Sequence, residues 1–259
     1  MSADAFARLA AVLRGIGPAD IAVSGGVDSL SLAAAAHAVL GDRARMHHAV
    51  SAAVPPEATA RTEAIAAARG WNLSLFDAGE FADERYRANP SDRCFFCKTN
   101  LYGALAARVT GTILSGTNLD DLSDCRPGLR AAEQHRVRHP FVEAAIDKAT
   151  VRRLAADLGL GDVADLPASP CLSSRIETGI RVEPALLALV HRAERLVTET
   201  LAPRTVRCRV RAAGVVVELD AESLARVDAA LTADLAAVAG RPVSFAPYRS
   251  GSAFLRPTA

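Results

Sequence analysis

Six residues near the amino end, Ser24-Gly25-Gly26-Val27-Asp28-Ser29, set two glycines, two hydroxyls and a carboxylate between an apolar run at 21–23 and an alanine-rich helical pattern reaching residue 40. Glycines at such a junction let the chain turn sharply and let backbone N–H groups approach phosphate oxygens. The helix start behind them adds the positive end of its dipole. Ser24 and Ser29 can donate hydroxyl hydrogen bonds, and Asp28 is placed to hold a magnesium ion on a pyrophosphate. No Walker lysine and no GxGxxG spacing is present, so neither γ-phosphate transfer nor dinucleotide binding is the natural reading. The plain alternative is a strand–helix turn that needs glycine and nothing more.

Two further segments carry sulfur. In Cys94-Phe95-Phe96-Cys97-Lys98 a turn or helix start brings two thiols three apart together, as in metal and iron–sulfur sites. One pair is an incomplete ligand set; a redox dithiol and two buried small hydrophobes stay open beside it. In Pro170-Cys171-Leu172-Ser173-Ser174-Arg175, Pro167 and Pro170 keep Cys171 out of a regular helix. Arg175 can stabilise a thiolate there. Beside a pyrophosphate-gripping loop, Cys171 becomes a candidate sulfur carrier rather than ordinary packing.

The elements that must position these groups follow from periodicity. Short apolar runs at 21–23, 45–51, 72–76 and 112–115 alternate with helical patterns at 1–17, 27–40, 57–69, 101–108 and 147–158. That alternation predicts an α/β domain, a parallel sheet with flanking helices, over 1–180. After a Pro- and Ser-rich linker the pattern changes to helix 184–201, a hairpin of 206–211 and 215–219, helix 221–239 and a strand at 243–245. This predicts a small α+β domain over 181–259. Cys208 falls in the hairpin and reads as packing.

Lys and Arg total 30 against 29 Asp and Glu, a balance that argues against a dedicated nucleic-acid binder. The first 17 residues read as an amphipathic helix rather than a signal peptide, and no apolar run is long enough to span a bilayer. The expectation is a soluble cytoplasmic protein. Five cysteines in that setting read as free, metal-bound or catalytic.

The hexapeptide at 24–29 resembles the pyrophosphatase loop (PP-loop) of the N-type ATP pyrophosphatases, which implies attack at the α-phosphate, an adenylated substrate and free pyrophosphate. Gly116-Thr117-Asn118-Leu119-Asp120-Asp121 with Asp124-Cys125-Arg126-Pro127-Gly128 resembles a block of the LarE sulfur transferases. So do residues 167–175 and Tyr248-Arg249-Ser250-Gly251-Ser252. The likeness covers nearly the whole chain. It implies conversion of the carboxylates of a pyridinium biscarboxylate mononucleotide into thiocarboxylates for the nickel-pincer nucleotide cofactor.

Residue by residue, the resemblance implies ATP held at Ser24, Gly25, Gly26, Val27, Asp28 and Ser29 with Gly116 and Asn118, and magnesium on Asp28. Cys171 matches the cysteine that gives up its sulfur in single-use members. Ser174, Arg175, Arg209 and Arg211 fall at the substrate, where paired guanidinium forks suit a phosphate; on charge patterning alone the last two equally suit a solvated strand face. Members with three cysteines carry a [4Fe-4S] cluster, and Cys94, Cys97 and Cys171 would supply it, with Cys125 an outside candidate. The family also implies a homo-oligomer. A tRNA thiolase of the same loop family is the rival, without the basic surface that partner requires. An amidotransferase-type synthetase lacks room for a glutaminase domain, and a non-catalytic nucleotide- or metal-binding module is the reading from another class.

Overall fold

The computed structural model describes residues 2–122, 127–167 and 170–249. Asp124, Cys125, Arg126, Ala168, Ser169 and residues 250–252 of the motifs above lie outside the described residues. In chain order the helices and strands are α1 (Ser2–Ile16), β1 (Ala19–Val23), α2 (Val27–Leu40), β2 (Ala44–Ala49), α3 (Pro56–Arg69), β3 (Asn72–Phe76), α4 (Glu84–Arg87), α5 (Arg93–Ala106), β4 (Thr112–Leu114) and α6 (Pro127–Gln134). They continue as α7 (Pro140–Glu143), α8 (Lys148–Asp157), α9 (Pro184–Leu201), β5 (Val206–Arg211), β6 (Gly214–Leu219), α10 (Ala221–Leu224), α11 (Ala229–Ala239) and β7 (Val243–Pro247). The chain divides into two units: Met1–Asp83 with Cys94–Ser169, and Glu84–Arg93 with Pro170–Ala259.

The first unit is built on a parallel sheet in the order β3-β2-β1-β4. Strand β1 (ADIAV) is central and nearly all buried. Helix α2 is apolar around most of its circumference, and its run of alanines lets neighbours pack close. Leu9 and Leu13 of α1, and Val151 and Leu154 of α8, join it in one core with Phe141 and Ile146. The strand order reverses between β1 and β4, and in open α/β sheets the carboxyl ends of strands at such a reversal form the binding crevice. The glycine loop follows β1 and the Gly116 segment follows β4.

The second unit holds a mixed sheet in which β6 pairs antiparallel with β5 and parallel with β7. The helical pattern read over 221–239 is two helices. Asp220 caps the first by accepting from Ser223 N at 3.1 Å, and Asp228 caps the second by accepting from Leu231 N at 2.8 Å. An aspartate followed by an amide three residues on is an N-cap signal, and it outweighs the apolar periodicity across the break.

Candidate functional site

In the first unit the loop at 24–29 is tied by its own hydroxyls and backbone. The buried Ser29 hydroxyl donates to Gly26 O at 3.1 Å and accepts from Ser24 N at 3.0 Å. Its oxygen also lies 3.1 Å from Ser24 Oγ; with the Ser29 proton spent on Gly26, Ser24 is the donor. Gly25 adopts φ +79°, and a Cβ there would stand 2.6 Å from Ala58 O of α3. Arg61, one turn further along α3, donates to Gly25 O at 2.8 Å. Both the bend and the crowding therefore require glycine. No side chain caps α2 at Gly26, so its first N–H groups present an anion-binding end.

The sheet's carboxyl edge completes this cradle. A Cβ on Gly116 would stand 2.8 Å from both Asp28 C and Ser29 N, so the segment after β4 lies directly on the start of α2. Asn118, buried, donates through Nδ2 to Asp28 Oδ1 at 3.1 Å. Lys148 at the start of α8 reaches Asp28 Oδ2 at 2.5 Å. One carboxylate oxygen on an amide and the other on an ammonium fix the orientation of Asp28, and an oriented carboxylate oxygen is a ligand type that magnesium takes. Lys148 sets a flexible-stemmed cation on the carboxylate, within reach of the uncapped start of α2.

Two histidines were not singled out from sequence. His48 is fully buried at the end of β2, 2.9 Å from both Val23 O and Thr59 Oγ1. Burial holds its pKa below the ordinary value, so it is neutral and donates to Val23 O, fixing the strand end from which the loop departs. His139 meets Ser115 just after β4. Neither lies in a recognisable motif; only the end of a strand pattern marks His48.

Cys94 and Cys97 occupy the first turn of α5, both half-buried, and their i,i+3 spacing puts them on one face. That pair suits two ligands of a cluster and needs others from elsewhere. Among the described residues no group of three or more His, Cys, Asp and Glu side chains is gathered for a metal ion.

In the second unit Cys171 opens a short 3-10 turn over Leu172–Arg175 and is half-buried. Arg175, 2% exposed, holds that turn from within. Its Nη1 donates to Pro170 O at 2.6 Å, Cys171 O at 3.2 Å and Ser174 Oγ at 3.0 Å. Its other edge grips Glu194 at 2.9 and 3.2 Å. Ser173 is pinned by Tyr86 OH at 2.6 Å. Arg209 donates to Ser174 O at 3.0 Å and to Glu218 Oε2 at 3.1 Å, and Arg211 meets Glu218 Oε1 at 2.7 Å. Ser174, Arg175, Arg209 and Arg211 are thus one connected cluster beside Cys171.

Arg207 shares their face of β5 by the alternation of a strand and stacks over Tyr248 at 5.7 Å; burial and the neighbouring Arg175 lower its pKa. The two-residue spacing 207, 209, 211 was the signal that would have found it. Cys208 points the other way, and burial pushes its thiol up to about 12, which makes it inert.

No family model matches the chain. It is 40% identical over 178 residues to the uncharacterized protein slr1717 of Synechocystis, covering 67% of this chain and 66% of that one. It is 30% identical over 208 residues to the pyridinium-3,5-bisthiocarboxylic acid mononucleotide synthase of Lactiplantibacillus plantarum, covering 78% of this chain and 75% of that enzyme. The chain belongs to the LarE family. An uncharacterized protein of Methanocaldococcus jannaschii, MJ0830, is also 30% identical, over 44% of each chain. Membership of that family makes it a sulfurtransferase by lineage. Among the described residues no helix is long and apolar enough to cross a membrane.

Proposed function

We propose that this chain is an ATP-dependent sulfur transferase of the PP-loop type that adenylates the carboxylates of pyridinium-3,5-biscarboxylic acid mononucleotide and converts them to thiocarboxylates for the nickel-pincer nucleotide cofactor. The observation that carries this reading is Asp28, held between Asn118 and Lys148 at the uncapped start of α2, in a chain of the LarE family. Asp28 would hold a magnesium ion, which would supply charge neutralisation for the pyrophosphate. The α2 amides and the Ser24 hydroxyl hold the phosphates, and Lys148 follows the charge as pyrophosphate departs. The substrate carboxylate attacks the α-phosphorus, and a poor electrophile becomes a mixed anhydride with a good leaving group. The substrate's own phosphate sits at Ser174, Arg209 and Arg211, and Arg175 keeps the Cys171 turn in shape.

Sulfur then reaches the acyl carbon from one of two sources: the Cys171 thiolate, which displaces AMP to form a thioester and then loses its own Cβ–S bond by β-elimination to leave dehydroalanine, or a sulfide that a [4Fe-4S] cluster would carry, with Cys94, Cys97 and Cys171 as the residues that would hold it. A cluster would supply a renewable sulfide at an open iron. The protein acts in the cytoplasm on a small-molecule nucleotide, without a stable nucleic-acid partner, as a homo-oligomer. Carboxylate-dependent ATP–pyrophosphate exchange tests the adenylation: it is expected with this substrate and abolished in Asp28→Asn. No exchange in the unmodified protein refutes the reading. Mass spectrometry of Cys171 after turnover, with iron and sulfide measured on anaerobic protein, separates the two sulfur sources.

A further inference from the structure

Arg61 holds the phosphate loop from the side of α3. Its half-buried guanidinium donates through Nη1 to Gly25 O at 2.8 Å. The base of this side chain is fixed. Thr59, two residues earlier on α3, lies 2.9 Å from the buried His48 ring, Thr62 is buried, and Ala66 enters the main core. Gly25 is pressed on the same helix, where a Cβ would stand 2.6 Å from Ala58 O. So α3 holds the loop at one α-carbon and one carbonyl oxygen.

That carbonyl belongs to the Gly25–Gly26 peptide. Among the described residues no peptide bond is cis, and in a planar trans peptide the C=O and the N–H point in opposite directions. With Gly25 O turned to Arg61, the Gly26 N–H is turned away from α3. Helix α3 follows β2, and the reversal in strand order lies on the other side of β1, between β1 and β4. A peptide between two glycines can rotate end over end at little steric cost, since neither residue has a Cβ. In the rotated form a carbonyl oxygen would face an arriving phosphate and repel it. The Arg61 bond selects the other form, and by polarising the peptide it makes the amide a stronger donor.

We propose that Arg61 is a positioning residue for the adenylation: by holding the Gly25 carbonyl, it aims the Gly26 N–H at the pyrophosphate portion of ATP. This deepens the reading above and rests on its assignment of the phosphate loop. Arg61 acts through the peptide, and no bond is made or broken at its side chain.

Gly25-Gly26 is the sole pair of adjacent glycines in the sequence. Full-length protein made with glycine isotope-labelled at its carbonyl carbon and its nitrogen, with no conversion of the label to serine, therefore gives one carbonyl-correlated amide peak, that of Gly26. The peak is expected to move to lower field when magnesium pyrophosphate is added, and to stay in place with adenosine. In Arg61→Gln, calorimetric affinity for magnesium pyrophosphate is expected to fall about 10- to 100-fold, the scale of a lost hydrogen bond from a charged group. The Gly26 response shrinks with it, while adenosine affinity holds. Arg61→Lys, which keeps a charged donor in reach of the carbonyl, restores both. A Gly26 peak that ignores pyrophosphate in the unmodified protein overturns the proposal without any variant. So does full pyrophosphate affinity in Arg61→Gln, or a parallel loss of adenosine affinity, which marks a structural role. A weakened affinity with the Gly26 response intact also overturns it, since Arg61 is then only a charge near the site. Binding needs no turnover: absent carboxylate-dependent exchange in the unmodified protein refutes adenylation alone, and the Gly26 measurement still decides what Arg61 does.

Discussion

Replacing Gly25 by alanine asks whether the phosphate loop is as tightly specified as its contacts indicate. Two costs add. An alanine at φ +79° loses about 1–2 kcal/mol to the left-handed backbone. Its Cβ would also stand 2.6 Å from Ala58 O, a backbone atom of α3 that can yield only by shifting the helix; overpacking of this kind costs about 1–3 kcal/mol. Against them, alanine restricts the unfolded chain by about 0.4–1 kcal/mol. The net is a destabilisation of about 1–4.5 kcal/mol, or a Tm lower by about 2–18 °C for a unit of this size.

Gly70→Ala is the matched control, because φ there is +63° but nothing lies within 4 Å of the new Cβ. It should pay the backbone cost alone. Circular dichroism melts of the three proteins give both numbers, and the difference between the variants isolates the collision with Ala58. Equal melting temperatures for Gly25→Ala and Gly70→Ala would refute the claim that α3 crowds the loop.

Acid should weaken the first unit through His48. Its pKa is held below the ordinary 6.5 by burial, so the unfolded chain takes up the proton first and stability falls as pH drops through 6.5. Urea midpoints from pH 7.5 to 5.5 should decline, and less steeply in His48→Gln. Glu218→Ala in the second unit strips the shared partner of Arg209 and Arg211 from a buried site, at a cost of about 3–5 kcal/mol, visible by thermal denaturation; a loss under 1 kcal/mol would mean the arginines do not depend on it. Iodoacetamide on the native protein at pH 8 should alkylate the half-buried Cys171 and spare Cys208, read by peptide mass spectrometry; early labelling of Cys208 would contradict its burial.

Much of this was legible from residue order. The helix over 184–201 and the strands over 72–76 and 206–211 follow from uninterrupted periodicity with clear stops, and the structure has them at those bounds. The parallel sheet follows from the alternation of strand and helix patterns. What stayed hidden depends on distance along the chain. Lys148 meets Asp28 across 120 positions, and His139 meets Ser115 only because Arg138 bridges Leu114 at the end of β4. The start of α5 is hidden in the sequence because Cys94-Phe95-Phe96-Cys97 are weak helix formers, and its place is set by packing instead: Phe95 lies against the cluster of Tyr102, Leu105 and Val137. Arg175 reads in sequence as a ligand for substrate or thiolate; its burial against Glu194 and three acceptors shows it shaping the turn.

The ten residues 84–93 belong with the carboxyl-terminal part of the chain although they are made long before it. Asn89, buried at φ +55°, donates to Glu177 O at 2.8 Å and Ile180 O at 2.9 Å, while its own carbonyl takes the Gly179 amide. Tyr86 adds its bond to Ser173. A fragment beginning at Pro170 would be born with those carbonyls and that hydroxyl unanswered. During synthesis the early decapeptide has to wait for 87 to 91 further residues, as far as Ile180, to emerge, which makes this clasp a late event in folding and a poor place to cut, swap or shuffle the gene.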